Sequence, residues 1–399
     1  MNLNVQGIDS LDLKGKRVLI RVDFNVPMTG AEGGTKEITD DTRIRRALPT
    51  IERVLKAGGK PVLLTHLGRP DGQVVEELRL DPVGLRLAEL SGHNVLKTDE
   101  SCGEIARQAI EAAAEGTIIL LENVRFHPGE TKGDPELVKA FAALGDCFVN
   151  DAFGTSHRDH ASVAGLARVL PCAAGDLLLA EIQAFQRVLE NPARPLVAIL
   201  GGAKVSDKLT VIDNLLDKVD AILVGGGMAY TFLKARGESI GTSLVQDDQL
   251  DLVRAAEAKA KEKGVKLLLP TDHVVSETFS ADGPSPICAR IPDGWMALDI
   301  GPDTAAAYCA VIAGAKTVVW NGPMGVFEME PFRAGTEAVG RAVADCAGYC
   351  VVGGGDSVAA AEQFGLSERI DHISTGGGAS LELLEGKDLP GISALLSGK

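Results

Sequence analysis

The segment LVAILGGAKVSDKLTVIDNLL, residues 196–216, limits the fold more than any other part of the chain. Its first five residues are all apolar and lie between Pro195 and Gly201-Gly202, which reads as a strand buried on both faces of a parallel sheet. After the glycines the apolar spacing becomes helical: Val205, Leu209, Ile212, Leu215 and Leu216. A strand, a glycine turn and a helix in succession aim backbone N–H groups and a positive dipole end at an anion. Lys204 and Lys208, four residues apart, are expected on one face of that helix start, where a bound anion would offset their repulsion. Two solvated lysines beside an ordinary α/β turn account for this segment equally well, so the rest of the chain must decide.

The same alternation runs through the whole sequence. Residues 17–26 (RVLIRVDFNV), 61–65, 117–121 and 147–150 read as strands, and residues 81–90, 104–114 and 137–144 as helices. In TRIRRALPTIERVLKAGG, Pro49 suits the first turn of a helix better than its middle. Residues 177–189 form a long amphipathic helix followed by NPARP, the best candidate boundary between domains. Further strands are expected at 221–224, 266–269, 296–300, 317–320 and 349–352, and around 372–374. A length of 399 residues exceeds what one core usually holds, so two α/β domains are the default.

Charge narrows the ligand class. A net charge of −15 argues against a broad nucleic-acid or anionic-membrane surface. Residues 1–170 carry 21 Lys and Arg against 25 Asp and Glu, together with five of the seven histidines, so a small anion is better received there than in the more acidic remainder. The seven cysteines show no C-x-x-C pair and no metal-ligand spacing, which points to reduced thiols. No apolar run approaches 18 residues and the N-terminal stretch lacks a signal core, so the expected protein is soluble and cytoplasmic.

The strand ends carry the chemistry. In the first part they hold Asp23 and Asn25, then His66 and Arg69, Arg125, and finally His157, Arg158 and His160. Ligands of open α/β sheets sit at carboxyl strand ends, and so many basic groups converging on one edge is hard to attribute to chance. In the second part Gly225-Gly226-Gly227, Gly353-Gly354-Gly355 and Gly376-Gly377-Gly378 each follow a β-like run and precede a helical one, a turn suited to phosphates. Thr375 is placed to cap the last of these helices. Asp356 could hold a Mg²⁺–polyphosphate or serve as an N-cap. No G-x-x-x-x-G-K-[ST] or G-x-G-x-x-G occurs, which excludes a P-loop and weakens a dehydrogenase reading.

Nine motifs in order, RVDFNVP, HLGRP, ENVRF, NDAFGTSHRDHAS, LGGAKVSDK, GGGMAYTFL, WNGPMGVFE, VVGGGDS and STGGGASLELLEGK, resemble those of phosphoglycerate kinases from about residue 3 to residue 397. The resemblance implies an α/β fold with two similar-sized domains, each a mostly parallel, Rossmann-like sheet with helices on both faces, separated by a cleft and joined by a hinge helix. It implies a phosphoglycerate-binding domain over 1–176, an interdomain helix and linker over 177–194 and a nucleotide-binding domain over 195–378. Residues 379–399 would pack back toward the first domain. The implied reaction is reversible, direct transfer between the acyl phosphate of 1,3-bisphosphoglycerate and MgADP, with domain closure when both substrates bind. Matched position by position, Asp23, Asn25, Arg43, His66, Leu67, Gly68, Arg69, Arg125, Arg158 and His160 would bind the phosphoglycerate. Lys208, Gly225, Gly226, Glu328, Gly354, Gly355, Asp356 and Ser357 would bind the nucleotide, with Asp356 toward Mg²⁺. Arg43, Lys204, Gly376, Gly377 and Gly378 would stabilise the transferring group. Ser357 stands where a threonine is common, and its hydroxyl survives. The implied partners are these small molecules alone, on a monomer. A dinucleotide-dependent oxidoreductase and a non-catalytic nucleotide-binding module are the rival classes; the first lacks its fingerprint, and the second leaves the arginine-rich strand ends without a purpose.

Overall fold

The computed structural model describes residues 3–30 and 36–397. It divides into two compact units, Met1–Gln183 with Asp388–Lys399, and Ala184–Lys387.

In the first unit the elements run β1 (Arg17–Arg21), β2 (Met28–Thr29), β3 (Glu37–Ile38), α1 (Thr42–Lys56), β4 (Lys60–Leu64), α2 (Asp81–Ser91), β5 (Val95–Lys97), α3 (Glu104–Ala112), β6 (Ile118–Leu120), α4 (Pro135–Ala142), β7 (Cys147–Asn150) and β8 (Cys172–Ala174), then the start of α5 (Asp176–Leu189). Six of these strands form a parallel sheet in the order β5-β6-β4-β1-β7-β8. On β1, Val18 and Ile20 join a cluster with Ile44, Ile51 and Val54 of α1 and Val83 and Leu87 of α2. The alternate residue Leu19 is also fully buried, so both faces of the strand are covered. The chain leaves β1 for β4 on one side and adds β7 on the other only later. The crevice at the carboxyl end of β1 is therefore a topological switch point.

The second unit continues from α5 through β9 (Leu196–Leu200), α6 (Leu209–Leu215), β10 (Ala221–Val224), α7 (Met228–Ala235), α8 (Leu250–Lys263), β11 (Lys266–Leu268), β12 (His273–Ser276), β13 (Ile287–Cys288), β14 (Met296–Ile300), α9 (Pro302–Ala313), β15 (Thr317–Asn321), α10 (Ala334–Ala344), β16 (Tyr349–Val352), α11 (Gly355–Gln363), β17 (His372–Ile373) and α12 (Gly377–Leu384). Its main sheet is parallel, in the order β11-β10-β9-β15-β16-β17. Numbered within the sheet this is 3-2-1-4-5-6, the doubly wound order whose switch point lies between β9 and β15. All five residues of β9 are buried. Val197 and Ile199 pack with Tyr308 and Ile312 of α9, Val339 and Val343 of α10, and the fully buried Trp320. The last helix, α13 (Pro390–Ser397), belongs to the first unit, where Gly391 N donates to Ser156 O at 2.8 Å. Among the described residues no helix is long and apolar enough to cross a membrane, and all seven cysteines are free.

Four expectations need correction. The strand read over 17–26 ends at Arg21; Val22 N adds one bond to Leu64 O, after which Asn25 N turns back onto Asp23 Oδ1 at 3.3 Å. Pro49 lies in the middle of α1. The carbonyl that a proline there leaves unmatched belongs to Arg45, and both residues are exposed, so water can satisfy it while Ile44, Ile51 and Val54 anchor the helix. The helix after Gly201-Gly202 begins only at Leu209, so Lys204 and Lys208 sit in the preceding turn and not on a helix face. The N-cap position of α12 falls on Gly376, one residue after Thr375. Strands β2, β3, β5, β8, β12 and β13 add to those read from the sequence; β12 sits between β13 and β14 in a separate three-stranded antiparallel sheet.

Candidate functional site

In the first unit the groups converge on the switch point. Asp23, just beyond β1, accepts from Arg43 Nη1 of α1 at 2.7 Å and lies 4.0 Å from His66 Nδ1 beyond β4. Asn25 Oδ1 accepts from Gly68 N at 2.9 Å, and Arg125 Nη1, beyond β6, donates to Gly68 O at 2.8 Å. Asn123 ties the same loop down. Its Oδ1 accepts from Leu67 N and Arg125 N, and its Nδ2 donates to Leu67 O at 2.8 Å. Leu67 and His160 are buried, whereas Arg69 and Arg158 are exposed. Asp23, Asn25, Arg43, His66, Leu67, Gly68 and Arg125 thus form one bonded cluster, and His160 stands behind it, 3.8 Å from Glu130.

Electrostatics sort these groups by protonation. Burial alone would raise the Asp23 carboxyl, but the guanidiniums of Arg43 and Arg21, with the Asn25 N–H, pull it below the usual carboxylate range. Burial, helped by Arg21, Arg125 and Arg43, holds His66 well below an ordinary histidine despite Asp23. Burial and the surrounding arginines bring His160 down to about 4. At neutral pH the cluster therefore presents neutral imidazoles among charged guanidiniums.

In the second unit a cavity of about 340 Å³ opens at the carboxyl edge of β9, β15 and β16. It is lined by Gly201, Gly202, Lys204 and Lys208 from the turn after β9, Asn321 at the end of β15 and Gly322 beyond it, Gly354 to Ser357 at the start of α11, and Gly377 and Gly378 at the start of α12. Lys204 is exposed. Lys208 donates through Nζ to Asn321 Oδ1, and burial brings its amine down to about 8 against the pull of Asp207, Asp356 and Glu385. Asn321 Nδ2 is buried and has no hydrogen-bond partner among the described residues. Gly354 has φ 93°, and a Cβ there would stand 3.1 Å from Asn321 Nδ2. Ser357 turns inward, its Oγ accepting from Gly322 N, and so braces the turn after β15. Asp356 is exposed in the first turn of α11 and makes no capping bond, which removes the N-cap reading.

A second cavity, of about 430 Å³, shares Gly202, Ala203 and Asp356 with the first. It is mostly apolar, with Leu244, Phe279, Met324 and Val326 in its wall, and Glu328 and Gly226 also line it. Gly226 has φ 67°, and a Cβ there would meet Gly202 N and O at 2.6 Å, so the two glycine turns touch directly. Two of the expected glycines line neither cavity. Gly225 is fixed behind, its N donating to Leu200 O at 2.9 Å, and Gly376 is buried under the turn, its O accepting from Ser380 N at 2.8 Å. Sequence reasoning passed over Asn321, although it ends a strand in the same way as the residues that were read. It also passed over Arg21, Asn123, Glu130 and Ser162. Among the described residues no three His, Cys, Asp or Glu side chains are grouped to hold a metal on their own.

The family model for phosphoglycerate kinase matches residues 8–387. The chain belongs to the phosphoglycerate kinase family. It is 57% identical over 390 residues to the phosphoglycerate kinase of Moorella thermoacetica, covering 97% of this chain and 98% of that protein. Its structure is similar to that of phosphoglycerate kinase from Coxiella burnetii, with a TM-score of 0.88 and 44% identity over 98% of this chain and 99% of the other. The Pyrococcus horikoshii phosphoglycerate kinase structure gives 0.82 and 33% identity, with 98% of both chains covered. The chain is accordingly a phosphotransferase with phosphoglycerate kinase function.

Proposed function

We propose that the first unit binds 3-phosphoglycerate or 1,3-bisphosphoglycerate at the Asp23–Arg43–His66–Arg125 cluster, and that the second binds MgADP or MgATP across its two adjoining cavities. The observation that carries the nucleotide half is the pairing of a glycine-turn cavity with an apolar one. The polar cavity suits the phosphates, and the apolar one suits the base, with Glu328 toward the ribose. The residues fit a metal–polyphosphate: Asn321 offers a buried N–H without a partner, Lys208 a charge, and Asp356 a carboxylate. Mg²⁺ is held characteristically by one or two carboxylates plus substrate phosphates, and it would arrive as part of the nucleotide substrate and neutralise its phosphate charge.

The carboxylate of 3-phosphoglycerate is ionised at neutral pH, so the ATP-consuming direction needs no general base. His66 and His160, both held well below an ordinary histidine, are weak bases, which agrees with a nucleophile that has no proton to give up. What remains is positioning and charge neutralisation. Arg43, Lys204 and the N–H groups of Gly377 and Gly378 take the transferring oxygens, while Gly376 and Ser357 hold their turns in shape. We place this activity in the cytoplasm, on a monomer without nucleic-acid or membrane partners, with transfer direct and in line. Domain closure is part of the proposal, read as a fall in radius of gyration by small-angle scattering only when both substrates are present. A coupled assay with 3-phosphoglycerate and MgATP tests the reading. Turnover without a nicotinamide cofactor is expected, and no turnover while both substrates bind would refute it.

A further inference from the structure

Behind the first unit's cluster runs a buried chain of polar groups that the reaction does not use. Arg21, the last residue of β1, is fully buried, and so are Ser162 and Glu130. Arg21 Nε donates to Ser162 Oγ at 2.9 Å, and Ser162 Oγ has one proton, which it donates to Glu130 Oε1 at 2.6 Å. Ser162 N donates to the other carboxylate oxygen at 3.0 Å. The direction of every bond in this chain is therefore fixed by its ends. A guanidinium has donors only and a carboxylate accepts. At the far side Arg21 Nη1 donates to Val22 O, and Nη2 lies 3.2 Å from His66 Nδ1. Because Nη2 has only protons to offer, His66 Nδ1 must accept.

We propose that Glu130, acting through Ser162 and Arg21, is a positioning residue that fixes His66 as the neutral imidazole protonated at Nε2, so that His66 meets the phosphoglycerate as a hydrogen-bond donor. The substrate contact rests on the reading of the first unit given above; the tautomer does not. An arginine buried this deeply needs a buried counter-charge, and its orientation follows the group that supplies it. Glu130 supplies that charge from beside His160, 3.8 Å away, leaving Asp23 to pair with Arg43. Asp23 Oδ1, at 4.0 Å from Nδ1, is too far to take a proton from that nitrogen, and the other charges near His66, Arg125 and Arg43, disfavour a second proton on the ring. Neutral tautomers are set in this way by the bond made at the other ring nitrogen.

Nitrogen NMR of the full-length protein with ¹⁵N-labelled histidine tests this. The His66 signal, identified by its loss in a His66→Gln variant, should show Nε2 protonated and Nδ1 bare in the wild type at neutral pH. Protonation at Nδ1 would overturn the proposal. Ser162→Ala and Glu130→Gln should admit the second tautomer and raise KM for 3-phosphoglycerate by about tenfold, the worth of one charge-assisted hydrogen bond, with KM for MgATP unchanged. Folded variants that keep both the wild-type tautomer and the wild-type KM would show that Glu130 is merely structural. Should Glu130→Gln fail to fold, the wild-type spectrum and Ser162→Ala decide. If His66→Gln bound 3-phosphoglycerate as well as wild type, the substrate-site reading would fall, and with it the binding half of this inference.

Discussion

Replacing Lys208 by methionine separates what this residue costs the fold from the nucleotide role proposed for it. Its amine is brought from an ordinary 10.5 down to about 8 chiefly by burial. Keeping it charged at pH 7 therefore costs the ligand-free protein about 3 kcal/mol relative to an unburied lysine. Methionine removes that cost but leaves Asn321 Oδ1 without its donor, a loss of about 1–3 kcal/mol. The two nearly cancel, so Lys208→Met should unfold at close to the wild-type midpoint. Nucleotide affinity should not be spared. Loss of a charge-assisted bond to phosphate, about 1.5–3 kcal/mol, weakens MgADP by roughly 10- to 150-fold. The pH dependence has a definite sign. Below pH 8 the free amine is already protonated, and above it binding must take up a proton. Wild-type affinity should therefore fall by up to about tenfold for each pH step above 8, while Lys208→Met should stay flat. Calorimetric titration with MgADP at pH 7 and pH 9, beside thermal unfolding, reads all three quantities. A variant that kept its affinity at pH 7, or lost it while still showing the wild-type fall between pH 7 and 9, would refute the assignment.

Other outcomes follow from the same geometry. Arg43→Ala should lower kcat by about 10³–10⁵, the range for arginines that neutralise a transferring phosphoryl group, and leave MgADP affinity intact; loss within about tenfold would reduce Arg43 to a partner of Asp23. Gly226→Ala puts a side chain at φ 67° against Gly202, and both the unfolding midpoint and MgADP affinity should fall; unchanged calorimetry would mean the two turns are not rigidly matched. Burial raises the Asp151 carboxyl to about 7, so protonated Asp151 stabilises the fold at low pH and that contribution is lost as pH rises from about 4 through 7. Asp151→Asn, neutral throughout, should gain on wild type between pH 4 and pH 8 by up to about 4 kcal/mol in denaturant unfolding; equal differences at the two pH values would place the charge elsewhere.

The long apolar runs made the central strands legible. β9, β10, β15 and β16 each bury every or nearly every residue, so their sequences carry no polar interruption. Edge strands leave no such mark. β5 has three half-exposed or exposed residues and β8 is Cys-Ala-Ala, too short and too small for a pattern. Periodicity could not place the start of α6 either, because Val205 is buried inside a turn and imitates a helical position. At the candidate site, residues at strand ends were visible because loops announce them. Arg21 was not, since an arginine between Ile20 and Val22 looks like the solvent-facing position of a strand. The serine and glutamate brought beside it by distant segments, together with Val22 O and His66, make its burial tolerable.

The helix α13 gives the first unit a dependence on the order of synthesis. Asn150 Nδ2 donates to Gly391 O at 3.3 Å, and Ile392 and Leu395 are buried there, yet they are translated only after all of Ala184–Lys387. A growing chain can close its second unit on the ribosome while the first, although begun earlier, still shows the bare surface around Ser156 and Val163. The part made first is thus the part finished last, and a stalled or clipped product would expose it to chaperones and proteases.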